Sequence, residues 1–581
     1  MIPPQCGMLT IGALPMTPPL RITAAIFASV LNSPRKPPPE RGDRPHLAPR
    51  AAPRPPLAHP LTRARVVQSV LSREPRWLNP RVPRVPLLSG TRIVVASAPA
   101  DAQVLRPPAP GRATDVVAAT REALRFPLDG EPLEALAARA SRVTIVVEPP
   151  ALPITTVLAD PRRLAISAVS EALEELGVRT EHQTLLVAGG LARRPSRGDI
   201  AALVTPELRR RFHGRVEVHD AADPALAGIP PGAPRVRIAK ALVETDLVVV
   251  VTAAETVLHG GPATLLAAAD AETQRSATAA SLLETGGSEG WRLATLVERT
   301  LASRVPLFGV SLVLNHPRFA GLLRGYPYDP EAAERIAGSP LRLGFTASPE
   351  AVRRSVLRTL RGTGTAAAVL AGPPSVAHAE ALLRAIELRR ATLAEPIDAL
   401  VIGIPGTTPF LPREKPNPLL AAHLGLAHAL GLWRDAFPVR DGGIVILVHG
   451  FRRTFARPTQ QPYHVFFRSD PIARDPELLG AAEEAVAADA RAIEEYRAGR
   501  TVHPVLPFRD WEACRPALER LGAVYVAGAR DAAAVRQLGF VPIGGIGAAL
   551  QMARGQRGPD ARIGFLLAPP YFPLRVGSGE T

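Results

Sequence analysis

The residues of this chain best suited to chemistry are a few histidines, arginines and glycine pairs. His259 precedes Gly260-Gly261, a few residues past the apolar run Leu247–Thr252. His423 and His428 lie five apart on an Ala/Leu-rich stretch, and His449 leads into Gly450-Phe451-Arg452-Arg453. Imidazole exchanges protons near neutral pH, so His259 and His423 are the candidate acid–base groups. Guanidinium groups grip carboxylate or phosphate oxygens, and glycine pairs let backbone amides approach an anion. Gly260, Gly261 and Arg452 are therefore candidate ligand-binding positions. Each has a plainer reading beside it, as a loop histidine, a helix-packing residue, a tight turn or an exposed basic loop. His219 adjoins Asp220, which could orient its ring, or it could simply cap a strand. No GxGxxG, P-loop, HExxH or GxSxG segment occurs. The two cysteines, Cys6 and Cys514, are too far apart to suggest a metal knuckle or a disulfide framework, so no metal ligands are expected.

These groups must be held by regular elements. Short β-branched runs alternate with helical stretches from Thr91 onward. Strands are predicted at Arg92–Ser97, Val143–Val147, Thr184–Ala188, Arg215–His219 and Leu247–Thr252, with helices over Pro161–Leu176 and Asp199–Arg211. A second set comprises Ala399–Ile404, Gly443–His449, Ala523–Ala527 and Arg562–Leu567, with helices near Leu419–Leu430, Leu478–Arg497 and Ala532–Leu538. This alternation predicts an α/β protein of two domains with largely parallel sheets flanked by helices. The expected division is 89–335 and 336–581, with the ligand cleft between the domains, beyond the carboxyl ends of strands.

Composition places the rest. The net charge is +16, but +10 of it falls within the first 85 residues. Residues 1–88, rich in Pro and Arg, read as a disordered leader with little to bury. The remaining chain has no basic stripe interleaved with aromatics, which argues against a nucleic-acid groove. No apolar run reaches the ~20 residues needed to span a bilayer, and no signal peptide is evident, so the expected setting is cytoplasmic, without a membrane partner.

The succession of segments from about Ser89 to the C-terminus resembles the LarA family, the nickel-pincer-nucleotide lactate racemases and their relatives. It is carried by Thr91–Val95, Ala123–Leu136, Val143–Pro153, Thr184–Pro195, Val218–Ala221, Glu244–Val248 and Gly442–Val448. The resemblance implies hydride removal from C2 of a 2-hydroxy acid, two histidine bases, and a nucleotide cofactor tethered to lysine. At the matching positions the side chains differ. The Asp-x-Thr-Arg segment of the family becomes Pro149-Pro150-Ala151-Leu152, and Gly-x-His-Arg becomes Gly190-Leu191-Ala192-Arg193, where the retained Arg193 is what the resemblance implies as a further ligand-binding position. The segment that bears the second base and the lysine aligns with Glu255–Ala263, where Pro262-Ala263 replaces Arg-Lys. A nickel-binding histidine would fall near Thr278–Ala280, which contains none. His423 takes the place of a substrate-side lysine of the family, within Asn417–Leu426.

Three readings follow. The first is a LarA-like protein that binds a small hydroxy acid or anion without the pincer-cofactor reaction, or carries out a different, cofactor-free reaction on it. The second is an active 2-hydroxyacid racemase or epimerase with a rearranged site. The third is a scaffold whose basic leader binds an acidic partner.

Overall fold

The computed structural model describes residues 83–150, 160–229, 236–359, 362–406, 415–469 and 476–577. Two six-stranded sheets form the frame. The first runs in the order Ala366–Gly372, Leu307–Leu314, Leu247–Ala253, Val143–Val147, Gln183–Val187, Arg215–Val218. All its pairings are parallel except that of Ala366–Gly372 with Leu307–Leu314. The second is wholly parallel, in the order Val541–Ile543, Leu521–Ala527, Val439–Val448, Ile397–Gly403, Ile563–Leu566, Gln103–Leu105.

Leu247–Ala253 shows why such a run becomes a central strand. Successive side chains of a strand point to opposite faces. Val249 and Val251 enter one core, with Ile166, Val169 and Leu173 of helix Arg162–Glu175. Val248 and Val250 enter another, with Ala294, Val297 and Leu301 of helix Glu289–Ala302. Helices cover both faces, so no polar alternation is needed. In the second sheet, Leu400 and Ile402 face the largest core, and Ala399 and Val401 face the opposite one.

Several sequence expectations change. The leader lies outside the described residues as far as Val82, but its expected end at residue 88 is too late. Arg84–Ser89 is a strand paired antiparallel with Arg92–Ser97. Val85, Leu87 and Leu88 give this short segment enough apolar surface to bury. Sheet membership also crosses residue 335, because Ala366–Gly372 completes the first sheet and Gln103–Leu105 the second. The helix predicted over 199–211 splits at Thr205, whose hydroxyl caps Pro206–Arg211 by accepting from Leu208 N at 3.2 Å. The one predicted over 478–497 splits at Asp489, which caps Ala490–Arg497. Among the described residues, no helix is long and apolar enough to cross a membrane.

Leu87 is fully buried, so Leu87→Ala should cost about 2–5 kcal/mol of stability by leaving a cavity. A urea unfolding midpoint that did not move would mean that this strand is peripheral to the fold.

Candidate functional site

The carboxyl ends of three neighbouring strands of the first sheet open onto a cavity of about 570 Å³. Glu148 follows Val143–Val147, and Gly189–Ala192 follows Gln183–Val187. The loop from Ala254 to Gly261 follows Leu247–Ala253. The facing wall is helical, formed by Pro418–His423 with the turn beyond it and by Leu506–Glu512, which carries Arg509 and Asp510.

The structure brings His259 and His423 to this one cavity, together with His428, Arg509, Asp510 and Glu148. His259 Nδ1 shares a 2.8 Å hydrogen bond with Thr256 Oγ1, and its Nε2 has no hydrogen-bond partner among the described residues. Burial pushes its pKa down to about 3, and Arg509, His423 and His378 add repulsion. His259 is therefore a neutral imidazole and a weak base at pH 7. His423 Nδ1 donates to the Asp510 carbonyl at 2.9 Å, and its Nε2 lies 3.7 Å from Asp510 Oδ1. The Tyr463 hydroxyl donates to Asp510 Oδ2 at 2.5 Å. Burial raises the pKa of Asp510, opposed by His423, Tyr463 and Arg509.

His428 reaches the cavity through a local irregularity. On a regular α-helix, residues five apart diverge by about 140°. Here Leu424–Ala429 is a π-helical turn, and Leu430 N donates to Gly425 O at 3.1 Å. The wider turn brings the His423 and His428 rings edge-to-face with centroids 4.7 Å apart. Arg509, half-buried at the wall, makes only a 3.5 Å bond to Ala277 O and no ion pair among the described residues.

The remaining candidates lie elsewhere or are occupied. Gly260 N donates to Glu148 Oε2 at 3.0 Å, and Gly261 N donates to Thr252 Oγ1 at 2.9 Å. These amides are thus satisfied internally and are not open to an outside anion. A Cβ on Gly261 would stand 2.3 Å from His378 Cβ, and both φ angles are positive, so close packing requires the glycine pair. Arg193 turns to Asp199 at 3.7 Å and does not line the cavity, which Ala192 does. Arg452 is exposed on the loop after Val439–Val448, near Arg530 and Arg92 and away from this cavity. His219 bonds the Ala269 carbonyl at 2.8 Å and lines a separate cavity of about 510 Å³, while Asp220 pairs with Arg497 and Arg194. His449 Nδ1 accepts from Phe451 N at 3.2 Å inside its own turn.

Of the segments that carry the family likeness, Ala192, Ala263 and Thr278–Ala280 all line the cavity. Residues Ala151 and Leu152 lie outside the described residues. Lys240 borders the other cavity, and Lys415 pairs with Glu350 at 2.5 Å. No lysine lines the site among the described residues. They also contain no group of three or more His, Cys, Asp or Glu side chains that could hold a metal ion. A lysine-tethered metal cofactor therefore does not fit these side chains. Glu148, whose pKa burial raises to about 7, accepts from Gly260 N and from Thr264 Oγ1 at 2.7 Å.

Residues 91–259 match the model of the lactate racemase N-terminal domain. Among solved structures, the chain is similar to the lactate racemase apoprotein from Thermoanaerobacterium thermosaccharolyticum, with a TM-score of 0.53 and 13% identity. That likeness covers 85% of this chain and 100% of the other. A protein from Thermotoga maritima is similar with a TM-score of 0.42 and 10% identity, over 80% of this chain and 99% of that one. No curated protein sequence matches the chain. The fold is that of a two-sheet α/β protein, and the matched segment is similar to the lactate racemase N-terminal domain. Over residues 91–259 the chain is similar to the lactate racemase family, and its fold is similar to that of the lactate racemase apoprotein.

Sequence reading did not find Arg509, Asp510 or the role of His428. Arg509-Asp510 sits in Leu506–Glu512, where nothing in the local pattern separates it from other Arg/Asp pairs, and the π-turn has no signature in composition. Glu148 precedes Pro149-Pro150 directly, and nothing in the local sequence marks its contact with Gly260.

The buried histidines give a test. Burial holds the pKa values of His219, His378 and His449 at about 4, below the unfolded value of 6.5. Their contribution to stability is full above pH 6.5 and is lost as pH falls toward 4, by up to about 2 kcal/mol each at pH 5. Glu148 works in the opposite sense, losing stability between pH 4.5 and 7. With more histidines than raised carboxyls, Tm should fall between pH 6.5 and 4. A flat melting profile across that window would mean that these rings are solvated.

Proposed function

We propose that the cavity binds a small carboxylate, with a 2-hydroxy acid as the class suggested by the family likeness, and that binding proceeds without the nickel-pincer reaction. The supporting observation is Arg509. Its guanidinium is desolvated, which lowers its pKa, and it stands at the cavity wall without an ion pair among the described residues. Asp510 acts on it through space without a close ion pair, and a ligand carboxylate beside the desolvated guanidinium would add a charge-assisted contact. Neutral His259, next to the guanidinium in the same cavity, can donate or accept a hydrogen bond without adding charge. The Ala192 and Ala263 side chains supply neither a proton nor a tether.

A second reading, an active racemase with a rearranged site, draws on His259 and His423 lining one cavity. A pKa of about 3 for His259 weakens it as a base, although a bound anion would raise that value.

Calorimetric titration with lactate should give measurable binding that Arg509→Met reduces by roughly tenfold or more, the loss of a charge-assisted contact. Equal affinity in the variant would remove Arg509 from the site. The intact mass of protein purified from its native source should equal that of the polypeptide, with no nucleotide adduct and no stoichiometric nickel. An added covalent mass would overturn the cofactor-free reading. Chiral chromatography of lactate incubated with the protein should show no exchange of enantiomers, and exchange would favour the second reading.

A further inference from the structure

His428 is the feature of this cavity that neither the family likeness nor the carboxylate reading explains. It is 3% exposed, and neither of its ring nitrogens has a hydrogen-bond partner among the described residues. The nearby Tyr571 ring, 6.3 Å away, also has an unpartnered, buried hydroxyl. Polar groups buried in this way weaken a fold, and an apolar side chain would pack at this position at less cost. The chain also departs from regular helix geometry here, and π-turns of this kind recur at functional sites. The surrounding lining residues Leu426, Ala427 and Leu430 are apolar.

A neutral imidazole has one N–H donor and one bare acceptor nitrogen. Burial and the neighbouring imidazoles His423 and His259 keep His428 neutral. A hydroxyl can donate to the bare nitrogen or accept from the N–H, so it suits His428 in either tautomer. A carboxylate oxygen suits only the N–H, and an alkyl chain suits neither.

We propose that His428 is a specificity-determining residue that recognises a hydroxyl on the carbon chain of the acid held by Arg509. This rests on the carboxylate reading of the cavity. Arg509 would supply affinity for any small carboxylate, and His428 would separate hydroxylated acids from their deoxy counterparts, because a deoxy acid leaves the buried nitrogens unpaired.

The test compares lactate with propionate, which has the same chain without the hydroxyl, using calorimetry on the full chain. The wild-type protein should prefer lactate by roughly tenfold. His428→Leu should abolish that preference by weakening lactate while leaving propionate unchanged, and its Tm should rise. A merely structural histidine would give the opposite Tm change and an unaltered ratio. His428→Phe, which keeps a ring against His423, provides a second variant should leucine disturb the turn. In the wild-type protein, the 15N shifts of the His428 ring should respond to lactate and not to propionate. An unchanged lactate-to-propionate ratio in both folded variants, or equal binding of the two acids by the wild type, overturns the role of His428 and leaves the carboxylate site standing. Absence of binding for both acids overturns the carboxylate reading itself.

Discussion

The turn after the central strand Leu247–Ala253 is fixed by a contact that leaves no room for a side chain. Gly261 passes so close to helix Pro374–Arg389 that even a Cβ would collide with His378. His378 in turn donates through Nε2 to the Thr256 carbonyl at 3.0 Å. Glu148, from the neighbouring strand, accepts from Gly260 N and Thr264 Oγ1 and ties the other side of the turn. These contacts hold the backbone from Thr256 to Thr264 rigidly and set the position of His259 at the cavity wall. The same contacts consume the backbone donors that a glycine pair at a strand end would otherwise offer to a ligand. Internal satisfaction of the turn and ligand binding by its amides exclude each other.

With the amides occupied, the polar groups left facing the cavity are side chains, several of them on the facing helices. The first sheet supplies Glu148 and His259 to the cavity, while the facing helices supply His423, His428 and Arg509. Desolvation acts on Glu148, His259, His428 and Arg509. It disfavours charge on His259 and raises the carboxyl pKa values of Glu148 and Asp510, and it lowers the pKa of Arg509 as well. Of the arginines lining the cavity, Arg275 pairs with Glu483 and Arg515 with Glu512, while Arg509 has no ion pair among the described residues.

The sequence was informative where local pattern and tertiary need coincided. Arg92–Ser97 and Val143–Val147 form as strands with the predicted bounds, and Leu247–Ala253 differs from prediction by one residue. Ala366–Gly372 was less visible, because its Ala-Ala-Ala start has helical propensity and only pairing with Leu307–Leu314 makes it extended. The same limit applies at the site. A histidine after an apolar strand and before two glycines already marks a turn at a sheet end. Whether its amides face a ligand or a neighbouring carboxylate depends on Glu148, 111 residues before His259 in the chain.

The sequence by itself determined the α/β class, the parallel strands, the family likeness and the absence of a lysine in the segment where the likeness calls for one. These follow from residue type and short-range order, which the chain carries in one dimension. Tertiary structure alone decided that Arg193 pairs with Asp199, that Arg452 stays on the surface, and that Arg509 stands beside His259. It also decided that His423 and His428 share a face. Each of these depends on burial and on contacts between distant segments, and the energy of a charge or an imidazole is set by what surrounds it in space.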